Sequence, residues 1–218
     1  MPVIDFVGPP GCGKSTISDA LVDDSSESMA IRTDAEICPQ KLLLCRLTAD
    51  LEAIVASFRY ANTLGIDWRD GKAREILEMF LAQRRQSCLN KIPGLLLSQG
   101  TARCVWLSMR RHNASRPTWS AACGSLTWPD AVVIVKASRL VRQKRKNARP
   151  AKGGEDKESF LRRIFHKAES AIPADDALET LAAALSDCAV PYVWVDSDRT
   201  VLESTETILS FLKGEGLL

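Results

Sequence analysis

The chain has 218 residues and a formal net charge of +2, from 29 lysines and arginines against 27 aspartates and glutamates. Hydrophobic residues make up 45% of the chain and charged residues 26%, which are ordinary proportions for a globular protein. This length predicts one α/β domain over residues 1–218, and the small net charge excludes a general electrostatic attraction to nucleic acid or membranes.

The cysteines number seven, are scattered along the chain, and include no C-x-x-C pair. This usage is typical of reduced thiols and predicts a cytoplasmic protein without a disulfide framework or a zinc site. We expect no signal peptide, since the chain enters a strand at once. We expect no membrane partner, because no apolar run approaches the roughly 18 residues that a spanning helix needs.

The stretch Gly8-Pro9-Pro10-Gly11-Cys12-Gly13-Lys14-Ser15 fits the pattern G-x-x-x-x-G-K-[ST] of a phosphate-binding P-loop. Residues 2–7 predict a buried strand before it and residues 15–22 a helix after it, which is the context that this motif requires. Glycines let several backbone N–H groups face one anion, and the helix adds the positive end of its dipole.

The P-loop motif predicts a nucleoside triphosphate and Mg²⁺ as ligands. Lys14 can reach the terminal phosphates, and the Ser15 hydroxyl can bind Mg²⁺. The expected nucleotide-binding residues of this segment are Gly8, Gly11, Cys12, Gly13, Lys14, Ser15 and Thr16.

A second candidate strand, residues 29–33, ends at Asp34. A parallel strand delivers such a residue to the carboxyl edge of the sheet, where open α/β folds bind ligands. Asp34 is therefore a candidate to bind a substrate hydroxyl, to act as a base or to support the metal. An alternative of equal weight is that Asp34 caps a helix beginning at Ala35.

Two long helices are predicted next from apolar residues at helical spacing. In residues 40–61 the recurring apolar residues are Leu43, Leu47, Leu51, Ile54, Val55 and Phe58. In residues 72–91 one face carries Ile76, Leu77, Phe80, Leu81 and Cys88.

The apolar run Leu95-Leu96-Leu97 predicts a third strand, which ends at Ser98. Many P-loop proteins carry an aspartate at this place, which holds the Mg²⁺ shell or serves as a base, so Ser98 is a departure. A helix over residues 101–109 follows. Arg103, near its start, lies close to the same carboxyl edge of the sheet, which we call the rim. Residues 110–129 form either a substrate-covering element or a packed connector.

The clearest buried strand, residues 131–136, leads into a basic run, Arg139 to Arg149, and then into a loop. A basic run is usually a solvated face or a nucleic-acid patch. A basic helix that flows into a loop after the fourth strand is also the layout of an arginine-bearing lid, here about residues 142–158. Strand and helix signals alternate to the end of the chain. They predict a three-layer α/β/α sandwich with a parallel five-stranded sheet.

These motifs resemble the nucleoside monophosphate kinase group of P-loop proteins, and thymidylate kinases most closely. Residues 3–16 look like the first strand and P-loop of that family, residues 80–84 like the helix whose arginine grips the acceptor phosphate, and residues 133–149 like the strand, helix and arginine lid. Thymidylate kinases carry Asp-Arg where Ser98-Gln99 stands here. They also carry a glutamate motif where residues 32–36 stand, so the acceptor half looks remodelled.

The resemblance implies an ATP-dependent phosphotransferase that acts on a small-molecule or nucleotide acceptor. It implies catalytic roles for Lys14, Arg142, Arg145 and Arg149, with Arg142 also near adenine. Asp34 joins these catalytic candidates from its place at the end of the second strand. The acceptor side would hold Asp34, Arg84, Ser98 and Arg103. An acceptor phosphate needs no general base, whereas an acceptor hydroxyl leaves Asp34 as the only candidate base. Family precedent suggests a homodimer.

Two other functions remain open from the sequence. One is a nucleotide-binding regulatory or partner-binding protein with weak or no transfer, which the loss of an aspartate at Ser98 favours. The other is nucleic-acid binding through the basic run, which predicts a steep fall of affinity with salt. We expect no nucleic-acid partner, because the small net charge gives no support for one. A GTP-type N-K-x-D motif is absent.

Overall fold

The structure of the protein is a computed structural model that describes residues 2–23, 31–33, 47–66, 73–89, 95–98, 100–148 and 172–218. Asp34, Arg149 and the greater part of the expected lid, residues 149–158, lie outside the described residues. The helix expected at residues 157–169 also lies outside them.

Thirteen elements are described, and their alternation follows the pattern expected of an α/β chain. The strands are β1 (Val3–Val7), β2 (Ile31–Thr33), β3 (Leu95–Ser98), β4 (Ala131–Lys136) and β5 (Tyr192–Asp196). The helices are α1 (Lys14–Asp23), α2 (Leu47–Thr63), α3 (Ala73–Leu89), α4 (Thr101–Met109), α5 (Arg116–Cys123), α6 (Arg139–Asn147), α7 (Ala174–Asp187) and α8 (Val201–Gly214).

The sheet places β1 in its centre, in the order β2-β3-β1-β4-β5, and every neighbouring pair is parallel. This confirms the predicted α/β fold with a parallel sheet. The connections that leave β1 and β4 run towards opposite edges of the sheet. Open α/β sheets bind ligands beyond the carboxyl ends of such strands. The P-loop follows β1 and α6 follows β4, so both lie at this crevice.

Helices cover both faces of the sheet because side chains of successive strand residues point to opposite faces. On one face Phe6 and Val133 pack with Ile17 of α1 and Ile208 of α8. On the other face Ile134 packs with residues of α4, α5 and α7. The five residues of β1 are all buried, as expected for a strand that is covered on both sides.

Helices α2 and α3 differ from the sequence expectation in which apolar residues they bury. In α2 the buried residues are Ala53, Ser57, Tyr60 and Ala61, whereas four of the large apolar residues that gave the pattern are exposed: Leu51, Ile54, Val55 and Phe58. In α3, Ile76 and Met79 are buried but Leu77 and Leu81 are exposed. The small residues of α2 allow α3 and its other neighbours to approach closely, so the larger residues remain outside.

The segment over residues 110–129 packs largely into the core. It contains α5, whose Trp119 is 1% exposed and lies 6.5 Å from the ring of Tyr60. Trp128 packs against the same core and donates its indole N–H to the carbonyl of Cys123. These contacts favour the packed-connector interpretation for residues 116–128, and leave Arg110 and Arg111 at the rim. No helix in the described part of the chain is long and apolar enough to cross a membrane.

Asp5, in the middle of β1, is fully buried and caps α4. Its two carboxylate oxygens accept hydrogen bonds from the backbone N–H groups of Gly100 (3.0 Å) and Ala102 (2.9 Å). A negative charge is favourable at the first turn of a helix, where the N–H groups lack partners within the helix. The sequence did not single out Asp5, because nothing in a strand pattern shows which helix a strand residue meets.

Candidate functional site

The P-loop turns tightly between β1 and α1. Gly11 has a φ of +89° and Gly13 a φ of +95°, in the region that favours glycine. A Cβ on Gly8 would lie 2.2 Å from the carbonyl oxygen of Val135, so the loop passes directly against the end of β4. Helix α1 begins at Lys14, and Ser15 and Thr16 are exposed in its first turn. The N–H groups of this turn have no partners within the helix and suit an anion.

The side chain of Lys14 lies across the loop. Its ammonium Nζ donates to the carbonyl oxygens of Gly8 (2.6 Å) and Pro9 (3.3 Å) and lies 3.6 Å from Sγ of Cys12. The Cys12 side chain is fully buried in the core beneath the loop. The arrangement holds one positive charge at the loop where phosphate would bind.

Ser197 ties the P-loop to Arg145 of α6. The Ser197 hydroxyl donates to the carbonyl oxygen of Cys12. The Arg145 guanidinium donates from Nη1 to the Ser197 hydroxyl (2.9 Å) and from Nη2 to its carbonyl oxygen (2.6 Å). A Cβ on Gly13 would lie 3.2 Å from Nη1 of Arg145, so the guanidinium sits directly beside the loop. Among the described residues of the expected lid, Arg145 is the arginine whose side chain lies beside the P-loop.

A cleft of about 70 Å³ opens between the start of α1 and the start of α8. This volume holds only a few water molecules. The Arg145 side chain and its Ser197 partner form part of its wall. The lining residues are Gly13, Thr16, Ile17, Arg145, Ser197, Arg199, Val201 and Ser204. The sequence analysis named neither Ser197 nor Arg199 as a site residue, although their place directly after β5 puts them at the carboxyl edge of the sheet.

Arg142 does not point to this cleft. Its guanidinium makes a two-pronged ion pair with Asp175, with nitrogen–oxygen distances of 3.1 and 3.0 Å. Asp175 lies in the first turn of α7, where a negative charge is favourable. Only the backbone of Arg142 meets the P-loop, since its carbonyl oxygen would lie 2.9 Å from a Cβ on Gly11. The Arg142 side chain is thus engaged with α7 in this arrangement, and its expected role beside adenine stays a prediction.

Arg110 adds a positive charge at the end of α4. Its guanidinium lies over the ring of Trp106, with 5.3 Å between Cζ and the ring centroid. Its buried Nε atom has no hydrogen-bond partner. Burial and the neighbouring charges of Arg111 and Arg142 lower the pKa of Arg110. Arg110 forms no ion pair with another described residue and lies beside two other arginines, so its surroundings favour an anion.

Glu75 of α3 contacts Arg111 and His112, the two residues that follow Arg110 at the end of α4. Its carboxylate accepts from Nη1 of Arg111 (3.0 Å) and contacts Nε2 of His112 (2.7 Å). Burial by itself raises the pKa of Glu75, but the hydrogen bond from His112 and the charges of His112 and Arg111 outweigh it. The pKa therefore lies below its ordinary value. The sequence held no signal for this cluster, whose members come from two different helical regions.

Three of the predicted acceptor residues, Arg84, Ser98 and Arg103, lie within the described ranges, and they are not gathered at the P-loop. Arg84 lies nine residues after Glu75 in α3, about 13 Å further along the helix. Its neighbour Gln83 bonds to Thr127, near the amino edge of the sheet. Arg103 is exposed in the first turn of α4. Ser98, the last residue of β3, pairs with Asp5, which lies two residues before the end of β1. Strand β3 therefore ends about 7 Å short of the P-loop along the strand direction.

No family model and no curated protein matches the chain. Among solved structures, the chain is similar to a deoxyadenosine kinase from M. mycoides, with a TM-score of 0.45 and 15% identity over 97% of this chain and 98% of that one. It is also similar to a sugar kinase from Janibacter sp. HTCC2649, with a TM-score of 0.41 and 15% identity over 98% of this chain and 95% of that one. At these TM-scores the likeness carries no functional argument, so the function depends on the site itself.

Proposed function

We propose that the protein is a P-loop phosphotransferase of nucleotide-kinase type, which moves the γ-phosphoryl group of ATP to a small-molecule or nucleotide acceptor. The observation that carries the proposal is the P-loop. It has the complete motif, it lies between a fully buried strand and a helix, and Lys14 spans it. Such a loop serves to bind the phosphates of a nucleotide.

In this proposal the phosphates lie on the loop from Gly8 to Thr16, and Lys14 exchanges its two carbonyl partners for phosphate oxygens. Ser15 is exposed and offers a hydroxyl to Mg²⁺. No group of three or more His, Cys, Asp or Glu side chains within the described ranges forms a metal site of its own. This donor set fits Mg²⁺, which is commonly held by one or two protein ligands, substrate phosphates and water.

We infer that the nucleotide base enters the cleft between α1 and α8. The present cleft is far smaller than the roughly 300 Å³ at which ligand pockets begin, so it must widen. The Arg145 side chain forms part of the cleft wall, where it is held by its hydrogen bonds to Ser197. If these bonds break, its guanidinium can turn and stack on the base. Arg145 and, further along the lid, Arg149 then close over the transferring phosphoryl group.

We infer that the acceptor is anionic, and that Arg110 rather than Arg84 or Arg103 meets its charge. Arg110 forms no ion pair with any residue that the structure describes, whereas Arg111 is paired with Glu75 and Arg142 with Asp175. An acceptor phosphate is already a nucleophile, and its transfer needs only positioning and charge neutralisation. That chemistry tolerates a serine at position 98. For a hydroxyl acceptor, Asp34 remains the candidate base.

The free thiols of the described cysteines support a reducing, cytoplasmic location.

The test is release of ADP from ATP and Mg²⁺ with a panel of nucleoside monophosphates, nucleosides and sugars. We expect turnover with a phosphorylated acceptor, and a loss in Arg110→Gln that appears mainly as a higher KM for that acceptor. The matched control is Arg139→Gln, an exposed arginine at the start of α6. Failure of every acceptor to release ADP would overturn the phosphotransferase proposal.

The second candidate is a nucleotide-binding regulatory protein. The serine at the end of β3 favours it, because many P-loop proteins carry at this place an aspartate that supports the metal shell. This function predicts tight binding of ATP without ADP release in any acceptor assay. The same panel therefore separates the two candidates.

A further inference from the structure

Helix α6 is held in place largely by polar contacts. None of its nine residues is buried, and its apolar contact with the core comes from the partly buried Val141. A surface helix usually attaches to the core through a continuous apolar stripe. The position of α6 therefore depends on the partners that its polar side chains find on other segments.

Two arginines of α6 have such partners. The Arg145 guanidinium bonds to Ser197, in the turn after β5, at 2.9 and 2.6 Å. The Arg142 guanidinium, three residues earlier, forms the two-pronged ion pair with Asp175 at 3.1 and 3.0 Å. The two contacts differ in kind, because Ser197 is neutral whereas the Asp175 carboxylate is an anion. Asp175 thus occupies its arginine in the way that two phosphate oxygens would.

The side chain of Arg142 starts directly at the P-loop. Its carbonyl oxygen and its Cα would lie 2.9 and 3.5 Å from a Cβ on Gly11, so the backbone of α6 rests against the loop at this residue. The planar fork of an arginine binds a carboxylate and a phosphate in the same two-pronged way. From this position one arginine can serve a phosphate on the loop or the carboxylate at the start of α7, but its fork cannot hold both at once.

The surroundings of Arg142 carry more positive charge than Asp175 balances. The Asp175 side chain is 61% exposed, and water screens the attraction of such a carboxylate. Arg110 forms no ion pair with another described residue, and its pKa is lowered by burial and by the charges of Arg111 and Arg142. A triphosphate carries several negative charges and matches this excess better than one exposed carboxylate does.

We propose that Asp175 is a built-in competitor of the nucleotide: it holds Arg142 on α7 in the free protein and gives it up to the phosphates when ATP binds. Asp175 is then a positioning residue, since it acts on the nucleotide only through Arg142. The inference rests on the proposed function, because ATP is the anion that replaces the carboxylate. Breaking the pair is part of the cost of binding, so the pair weakens the affinity for ATP.

The first test addresses the contact itself, by hydrogen exchange of the backbone N–H groups of α6 in the free protein. Asp175→Asn removes the charge but keeps the shape of the side chain, and it speeds exchange in residues 139–147 by about 2- to 5-fold. The matched control is Asp176→Asn, which removes a charge from the exposed neighbour in the same turn of α7 and leaves exchange unchanged. Equal rates in the wild type and Asp175→Asn overturn the proposal.

The second test is the affinity for ATP with Mg²⁺, measured by isothermal titration. Asp175→Asn binds ATP about 2- to 5-fold more tightly than the wild type, and Asp176→Asn binds as the wild type does. Arg142→Gln binds about 10-fold more weakly, because it loses charged hydrogen bonds to phosphate. Adding Asp175→Asn to Arg142→Gln changes nothing further, since the competitor has no arginine left to hold. An equal gain in Asp175→Asn and Asp176→Asn, or a gain that persists without Arg142, overturns the proposal.

The same titrations separate failure of this inference from failure of the proposed function. A wild type that binds no ATP contradicts the nucleotide site, and the exchange at Arg142 falls with it. A wild type that binds ATP with the same affinity as Asp175→Asn leaves the nucleotide site standing and overturns only the competitor role of Asp175.

Discussion

At the scale of single residues, Gly8 has less space than any other described glycine of the chain. A Cβ there would lie 2.2 Å from the Val135 carbonyl oxygen and 2.8 Å from Sγ of Cys12, at a φ of +156°. No movement of a flexible side chain relieves the first of these contacts, because the Val135 carbonyl belongs to the backbone of β4, the strand beside β1. The P-loop is therefore fixed to the sheet at its first residue.

We expect Gly8→Ala to lower the free energy of unfolding by at least about 2 kcal/mol more than Gly65→Ala. Gly65 also has a positive φ, of +64°, but a Cβ there meets nothing within 4 Å, so it reports the backbone strain without the clash. Urea unfolding monitored by tryptophan fluorescence measures both. Equal losses in the two variants would mean that the loop is not held against β4 as described.

The ionisation of the Glu75 carboxyl group makes the free energy of unfolding depend on pH. Because its pKa is lower in the folded protein than in the unfolded chain, the unfolded chain binds more protons as the pH falls. The stabilisation is fully present above the ordinary pKa of a glutamate and is lost as the pH falls through the lower folded value.

We therefore predict that the free energy of unfolding of the wild type falls more steeply between about pH 5 and pH 3 than that of Glu75→Gln. The glutamine keeps the shape of the side chain but cannot titrate. Denaturant unfolding at a series of pH values measures the difference. Glu206→Gln, an exposed glutamate of α8, is the matched control. Parallel curves for wild type and Glu75→Gln would show that the ion pairs with Arg111 and His112 do not form.

At the scale of secondary-structure elements, the placement of α4 depends on Asp5 of β1. The carboxylate satisfies two N–H groups at the start of α4 and is itself shielded from water. Its removal leaves those N–H groups buried without partners, which is more costly than loss of a cap in water.

We expect Asp5→Ala to destabilise the protein by about 2–4 kcal/mol. Asp130→Ala is the comparison, since the Asp130 carboxylate also accepts from one backbone N–H, that of Val3 at 2.7 Å, but is exposed to water. Its loss should cost about 1 kcal/mol. Thermal unfolding of the three proteins by calorimetry gives both values. Similar costs for the two aspartates would contradict the capping role of Asp5.

The elements were predictable where one local pattern settles them. The strand that precedes the P-loop, the apolar run of β4 and the capping box of α8, in which Thr200 and Glu203 cap each other, are all readable in a short window. Helix α2 was predictable as a helix but not in its orientation. It carries two apolar faces, and periodicity alone does not say which of them meets the sheet.

At the scale of the whole molecule, the site is assembled from segments far apart in the sequence. The P-loop was predictable because its phosphate chemistry resides in eight consecutive residues. The contact of Arg145 with Ser197 was not predictable, since it joins positions 52 residues apart. Arg142 illustrates the same limit, because its partner Asp175 lies on α7, beyond the expected lid. A basic run shows that arginines are present but not which of them faces the nucleotide.

Isothermal titration of ATP, with and without Mg²⁺, into the wild type and Lys14→Ala tests the central claim most directly. We expect the wild type to bind ATP and Lys14→Ala to bind it about 10- to 100-fold more weakly, since the variant loses a charged hydrogen bond to phosphate. Lys213→Ala, on the exposed surface at the end of α8, should bind as the wild type does. A wild type that binds no nucleotide at millimolar concentration, or a Lys14→Ala variant that binds equally well, would contradict the assignment of a nucleotide site at the P-loop.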